Sequence, residues 1–154
     1  MSSPEPAPSS AGSLTPAFQE PGEREPISHE IGVPLVVVDG ANVVGSVPDG
    51  WWRDRAGAAI RLRDSLATVP ATGLAGLPGP VEVALVVEGR ARDIPAGSGA
   101  VRVVRAPGSG DDTIVELAAA APGRRVVVVT ADRGLRQRVT AVGAEVRGPS
   151  AVPR

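Results

Sequence analysis

From Val33 onward the apolar residues fall into short unbroken runs separated by amphipathic stretches. "VPLVVVD" (33–39) is apolar at nearly every position, the pattern of a strand covered on both faces at the centre of a parallel sheet. "RDRAGAAIRLRDSLATV" (53–69) changes period. Ala56, Ala59, Ile60, Leu62, Leu66 and Val69 share one helical face, with Arg and Asp opposite. "PATGLAGLPGP" (70–80) has the glycines and prolines of a loop. A second strand is predicted over 81–89, a third within 100–108 and a helix over 111–121, stopped by Pro122-Gly123. The fourth strand is "RRVVVVTAD" (124–132), the last helix spans 133–143, and "AEVRG" (144–148) is a short fifth strand.

Strands alternating with helices of these lengths predict an α/β fold, a doubly wound three-layer α/β/α sandwich around a mostly parallel sheet of about five strands. One connection fits poorly: residues 90–99 are short for a parallel crossover, which takes about a dozen residues. Residues 1–30 have no periodicity and are crowded with Pro, Ser, Gly and Glu, so a disordered acidic tail is expected, followed by one domain over 31–154.

Composition narrows the chemistry. There is no cysteine, which excludes disulfides and thiolate metal sites, and the single histidine, His29, lies at the edge of the tail. No apolar run approaches the ~20 residues of a membrane span, and the acidic, Pro-rich start does not read as a secretory signal. A cytoplasmic protein with no membrane association is the expectation. The net charge of −1 hides an asymmetry: residues 1–30 carry five Glu and one Arg, leaving fifteen Arg against twelve acids in the rest. Every basic residue is Arg. Biased codon composition explains that as readily as a preference for phosphate, which guanidinium groups contact bidentately.

The acids are more informative. Asp39 follows "LVVV", Glu88 follows "ALVV", Asp111 and Asp112 follow the third strand, and Asp132 follows "VVVVTA". In a parallel sheet these positions share one rim, where open α/β folds bind their ligands. Clustered carboxylates repel unless protons or cations neutralise them. With no cysteine and no useful histidine, the neutraliser expected is a hard cation with oxygen ligands, Mg2+ or Mn2+. Each acid also has a local role open to it. Asp39 suits a turn before Gly40, Ser109 and Asp112 have capping-box spacing, and Asp132 suits an N-cap.

Taken in order and spacing, "VVDGANVVGS", "VVEGRAR", "APGSGDDTIVELA" and "VVVVTADRGLRQRVTAVGAEVRGPS" resemble an NYN domain of the PIN-like nuclease superfamily, most closely its YacP-like bacterial branch. The resemblance runs from about Pro34 to Ser150. It places the family's first motif on Asp39, Gly40 and Asn42, its central-helix acid on Asp111 with Asp112 beside it, and its fourth-strand motif on Thr130 and Asp132. It implies Mg2+- or Mn2+-supported endonucleolytic cleavage of single-stranded RNA, leaving a 5′-phosphate, with Asp39, Asp111, Asp112 and Asp132 as catalytic and metal-holding residues. Two positions depart from the family pattern: Ala41 stands where relatives often carry an aromatic, and Glu88 where they often carry Asp.

For RNA the rim needs positive charge around its acidic centre. Arg53, Arg55, Arg90, Arg92, Arg133 and Arg136 fall near predicted strand ends or helix starts. Asn42, Ser46, Glu88, Ser109 and Thr130 add polar contacts on the substrate side, together with Arg90 and Arg133. In a chain with so few aromatics, Trp51 and Trp52 are candidates to stack an unpaired base, with one expected packed and the other partly exposed. The alternative from another class is a non-catalytic RNA- or ribosome-binding module on the same fold. Other α/β hydrolases fit less well: position 41 is not a second Asp, "GSGDDT" has no P-loop lysine, and the dinucleotide-binding glycine pattern is missing after strand one.

Overall fold

Five strands pair side by side, all parallel, and their register carries the acids to one edge. The computed structural model describes residues 32–153; the tail expected over 1–30, with His29, lies outside the described residues. In chain order the elements are β1 (Leu35–Asp39), α1 (Gly40–Gly45), α2 (Arg55–Ser65), α3 (Val69–Thr72), β2 (Gly73–Leu74), β3 (Leu77–Pro78), β4 (Glu82–Val87), β5 (Arg102–Arg105), α4 (Gly110–Ala119), β6 (Val126–Val129), α5 (Arg133–Ala141) and β7 (Glu145–Arg147). The main sheet has the order β5-β4-β1-β6-β7.

β1 is central, paired in parallel with β4 on one side and β6 on the other. Its alternation divides the core: Val36 and Val38 pack into one hydrophobic layer with Leu62 and Leu66, while Leu35 and Val37 face the other with Ile114, Leu135 and Val139. Helices therefore cover both faces, which is why the run is apolar at successive positions. Each fully buried valine contributes roughly 1.5–3 kcal/mol, so the strand that carries Asp39 is held from two sides.

The doubtful connection is parallel after all. β4 ends at Val87 and β5 begins at Arg102, both inside the predicted spans, so residues 88–101 are free to cross over. That stretch has no α-helix; a 3-10 turn at Gly89–Ala91 and the buried Ile94 and Val101 carry it across. Two stretches were not legible in the pattern. The loop predicted over 70–80 includes most of α3 and the small antiparallel pair β2–β3, whose Leu74 and Leu77 are buried. α1 starts directly on β1, in the segment where only a turn was expected. Gly40 allows this close approach: a Cβ there would stand 2.6 Å from the Val86 carbonyl oxygen. Among the described residues no helix is long and apolar enough to cross a membrane.

Candidate active site at the carboxyl edge of the sheet

Asp39 ends β1 with its residue surface only 5% exposed. Oδ2 accepts a hydrogen bond from Thr130 Oγ1 at 2.9 Å, and Oδ1 accepts a longer one, 3.4 Å, from the Asn42 backbone N–H. Burial disfavours the charged form and pushes the carboxyl up to about 6. The two hydrogen bonds work against that shift, and the negative charges of Asp111 and Glu88 add to it.

Thr130 is completely buried at the end of β6. Besides donating to Asp39, its Oγ1 accepts the Asp132 backbone N–H at 3.1 Å. It was expected on the substrate side, but full burial gives it no surface to offer; it is a positioning residue that ties two acids together. Asn42 plays a similar part, with Oδ1 accepting the Ala131 N–H at 2.8 Å and so bracing the exit of β1 against that of β6. The exposed Ser46 donates from Oγ to the Val43 carbonyl at 2.6 Å, at the end of α1.

Asp132 is exposed and caps α5, with Oδ1 accepting the Leu135 N–H at 2.8 Å. Asp111 lies in the first turn of α4, partly buried. Its carboxyl is raised by burial first, then by the charges of Asp132 and Glu88, while Arg138 draws it down. Mutual repulsion therefore links Asp39, Glu88, Asp111 and Asp132 along one rim. Asp112 is different: it is exposed and paired with Arg138 at 2.9 Å. The capping box expected from Ser109 and Asp112 is replaced by a single bond, Ser109 Oγ accepting the Asp111 N–H at 3.1 Å. Arg138 was not singled out in the sequence, because nothing in its spacing separates it from the chain's other arginines.

Glu88, directly after β4, accepts the Gly110 N–H on Oε1 at 2.5 Å. Arg90 and Arg133 are exposed, on the Gly89–Ala91 turn and at the first position of α5. Of the other arginines expected to frame the rim, Arg136 donates to the Thr130 carbonyl at 3.0 Å and Arg92 to the Pro107 carbonyl at 3.3 Å, which leaves them bracing loops. Trp51 and Trp52 sit on a 3-10 turn, edge to face with ring centres 6.0 Å apart. Trp51 is half-buried with Arg55 over its ring at 5.3 Å, and Trp52 is 52% exposed with Arg53 over it at 5.6 Å. One is packed and one is open, as expected.

No protein-family profile matches this chain, and no curated protein does. Solved structures do. Rae1 (YacP) from Bacillus subtilis superposes with a TM-score of 0.60, and a tryptophan-to-leucine variant of it with 0.56. Each match has 19% sequence identity and covers 76% of this chain and 70% of the other. The fold is that of Rae1 (YacP). At this identity the likeness speaks for the fold, which is the architecture that the YacP-like motifs implied.

On the Rae1 (YacP) fold, the fit of a divalent cation is tested by the donors present. The rim offers oxygen donors, and the carboxyls of Asp39 and Asp111 are raised by burial first and by neighbouring acids in addition, an imbalance that a hard cation would relieve. Among the described residues, however, no three acids stand together as one metal-holding group. The arrangement does not suit a closed all-protein cage; it would leave room only for an ion that, like Mg2+, keeps several waters and takes one or two carboxylates.

Proposed function

We propose that this chain is a metal-dependent endoribonuclease that hydrolyses phosphodiester bonds in single-stranded RNA at the rim carrying Asp39, Asp111 and Asp132. The observation that carries the reading is Asp39 itself, a carboxyl buried at the end of the central strand, fixed by Thr130 and within electrostatic reach of Asp111 and Glu88. A buried acid facing other acids is costly to keep and is typical of a working site. The resemblance of the motifs to metal-dependent ribonucleases and the shared fold support the same reading.

One or two of Asp39, Asp111 and Asp132 would hold Mg2+ or Mn2+ directly and the rest through its waters, since no three acids among the described residues form one metal-holding group; Asp112 is left out because Arg138 occupies it. A bound cation supplies charge neutralisation at the phosphate and acidifies a water for in-line attack on phosphorus. The chain's own part is placement. Thr130 holds Asp39 in one rotamer, the α5 cap fixes Asp132, and Arg90 and Arg133 offer exposed guanidinium groups to flanking phosphates. The attacking water displaces the 3′-oxygen of the preceding nucleotide, and a 5′-phosphate remains on the downstream product.

The deciding experiment is cleavage of labelled single-stranded RNA in Mg2+, Mn2+ or EDTA by wild type and Asp132→Asn. Asparagine is as good an N-cap as aspartate, so the variant keeps α5 while losing the charge. We expect metal-dependent cleavage by wild type and at least a hundredfold loss in the variant; equal cleavage by both would sink the assignment. The absence of a three-acid group among the described residues favours a second reading, a non-catalytic RNA- or ribosome-binding module. It predicts RNA bound equally well in EDTA and never cut.

A further inference from the structure

A cavity of about 390 Å³ opens beside Asp39, between α1, the Trp51 turn and the Gly89–Ala91 turn. Its size is in the range of small-ligand sites. Gly40 and Glu88, the residues that follow β1 and β4, both line it, so it shares the carboxyl edge with the acids. Most of the wall is apolar, Val44 and Ala91 among it, and the charged lining residues are Arg55, Glu88 and Arg90. Arg55 lies over the Trp51 ring, so an entering flat group meets a layer of guanidinium and indole, both of which stack on nucleobases. Arg90 is exposed at the mouth, free to meet a phosphate.

The acidic side chain decides which base. Glu88 is anchored through Oε1 to the Gly110 N–H, and Gly110 fits closely, since a Cβ there would stand 3.1 Å from Oε1. Among the described residues Oε2 takes no hydrogen bond. An ionised carboxylate only accepts. Guanine presents two adjacent donors on its Watson–Crick edge, N1–H and the 2-amino group, which match two carboxylate oxygens. Adenine and cytosine present one amino donor beside a ring acceptor, and uracil presents one N–H between two carbonyls that a carboxylate repels. Glu88 is half-buried, and an acceptor left unmatched once the base excludes water from it is penalised, so such a site favours guanine.

We propose that this cavity is a base-selective subsite that seats one unpaired guanine of the RNA strand against Trp51 and Arg55, with its Watson–Crick donors on Glu88. The choice of RNA as the source of the base rests on the ribonuclease reading above. The chain has two tryptophans and no tyrosine, so Trp52→Phe leaves Trp51 as the single indole reporter. In that background, binding of the pentanucleotides UUGUU, UUAUU, UUCUU and UUUUU is followed by Trp51 emission, in EDTA so that no strand is cut. UUGUU binds at least tenfold tighter than UUUUU. Glu88→Gln, which keeps the length and an oxygen for the Gly110 N–H, brings the four within about twofold of each other. Arg90→Ala weakens all four alike and preserves the ratio. Four equal affinities, no binding up to 1 mM, silent Trp51 emission, or a guanine preference that survives Glu88→Gln would each overturn the subsite. Cleavage of long RNA by wild type, run in parallel with Mg2+, separates the two ideas. Cutting with a flat pentanucleotide profile removes the subsite alone, and guanine-selective binding without cutting removes the ribonuclease reading alone.

Discussion

Thr130 Oγ1 and Asp39 Oδ2 are 2.9 Å apart, joining residues 91 positions apart in the chain inside a buried environment. The same hydroxyl accepts the Asp132 N–H, so one side chain sets the position of two rim acids. Thr130→Val keeps the shape and removes both bonds. Losing hydrogen bonds at buried polar groups costs about 1–3 kcal/mol, and the Asp39 carboxyl, no longer held down by the hydroxyl, rises further above 6. Carboxyl carbon NMR titration reads the shift; an Asp39 titration that stays put or falls would contradict the geometry.

Asp39 makes the metal-free protein less stable as pH rises. Its pKa is about 6 in the folded state against 3.8 as the reference, so between these values the folded chain binds more proton than the unfolded one. Stability therefore falls as pH climbs through this window, by about 3 kcal/mol in all. Asp39→Asn should remove the dependence: in EDTA the variant is more stable than wild type at pH 8, and the gap closes below pH 4. Thermal melts across pH 3.5–8.5 test this, and a variant that is less stable at pH 8 counts against the buried charge as the cause.

Gly40 is a packing requirement of the joint between β1 and α1. In Gly40→Ala the new methyl meets the Val86 backbone oxygen at 2.6 Å, and backbone cannot step aside as a side-chain tip can. Overpacking of this kind costs about 1–3 kcal/mol. Urea unfolding should show the loss with an unchanged m-value; a neutral or stabilised variant would mean that α1 does not sit so close to β4.

Arg138 acts on the rim through its charge. It pairs with exposed Asp112 and draws the Asp111 carboxyl down. Arg138→Gln should change stability by less than about 1 kcal/mol, as is usual for surface pairs, while Asp111 titrates at higher pH than before. An unmoved Asp111, seen by the same carboxyl NMR, would place Arg138 outside the site.

Much of this was readable along the chain. Runs such as "LVVVD" and "VVVVTAD" are apolar at successive positions because helices cover both faces of the sheet, and together with the helical stretches between them that pattern predicts a mostly parallel α/β fold with its acids after the strands. What periodicity did not reveal were α1, which is too short and Gly-bounded to show an amphipathic face, α3 and the β2–β3 pair within the predicted loop, and the crossover over 88–101, which has no α-helix to announce it. Local sequence also placed Ser109 and Asp132 at helix starts, where both were found as caps.

Roles within the rim were decided only by the fold. In sequence Asp111 and Asp112 are neighbours of the same kind, but the rotation of α4 by about 100° per residue turns one toward Asp132 and Glu88 and the other toward Arg138. Thr130 reads as a polar residue near a strand end, and only its complete burial makes it a support for Asp39 rather than a contact for substrate. Sequence determines which chemical groups stand at the ends of strands, since strand length and the residues that follow it are local properties. Which of them meet, and which are neutralised on the way, depends on distances across the sheet that no local pattern encodes.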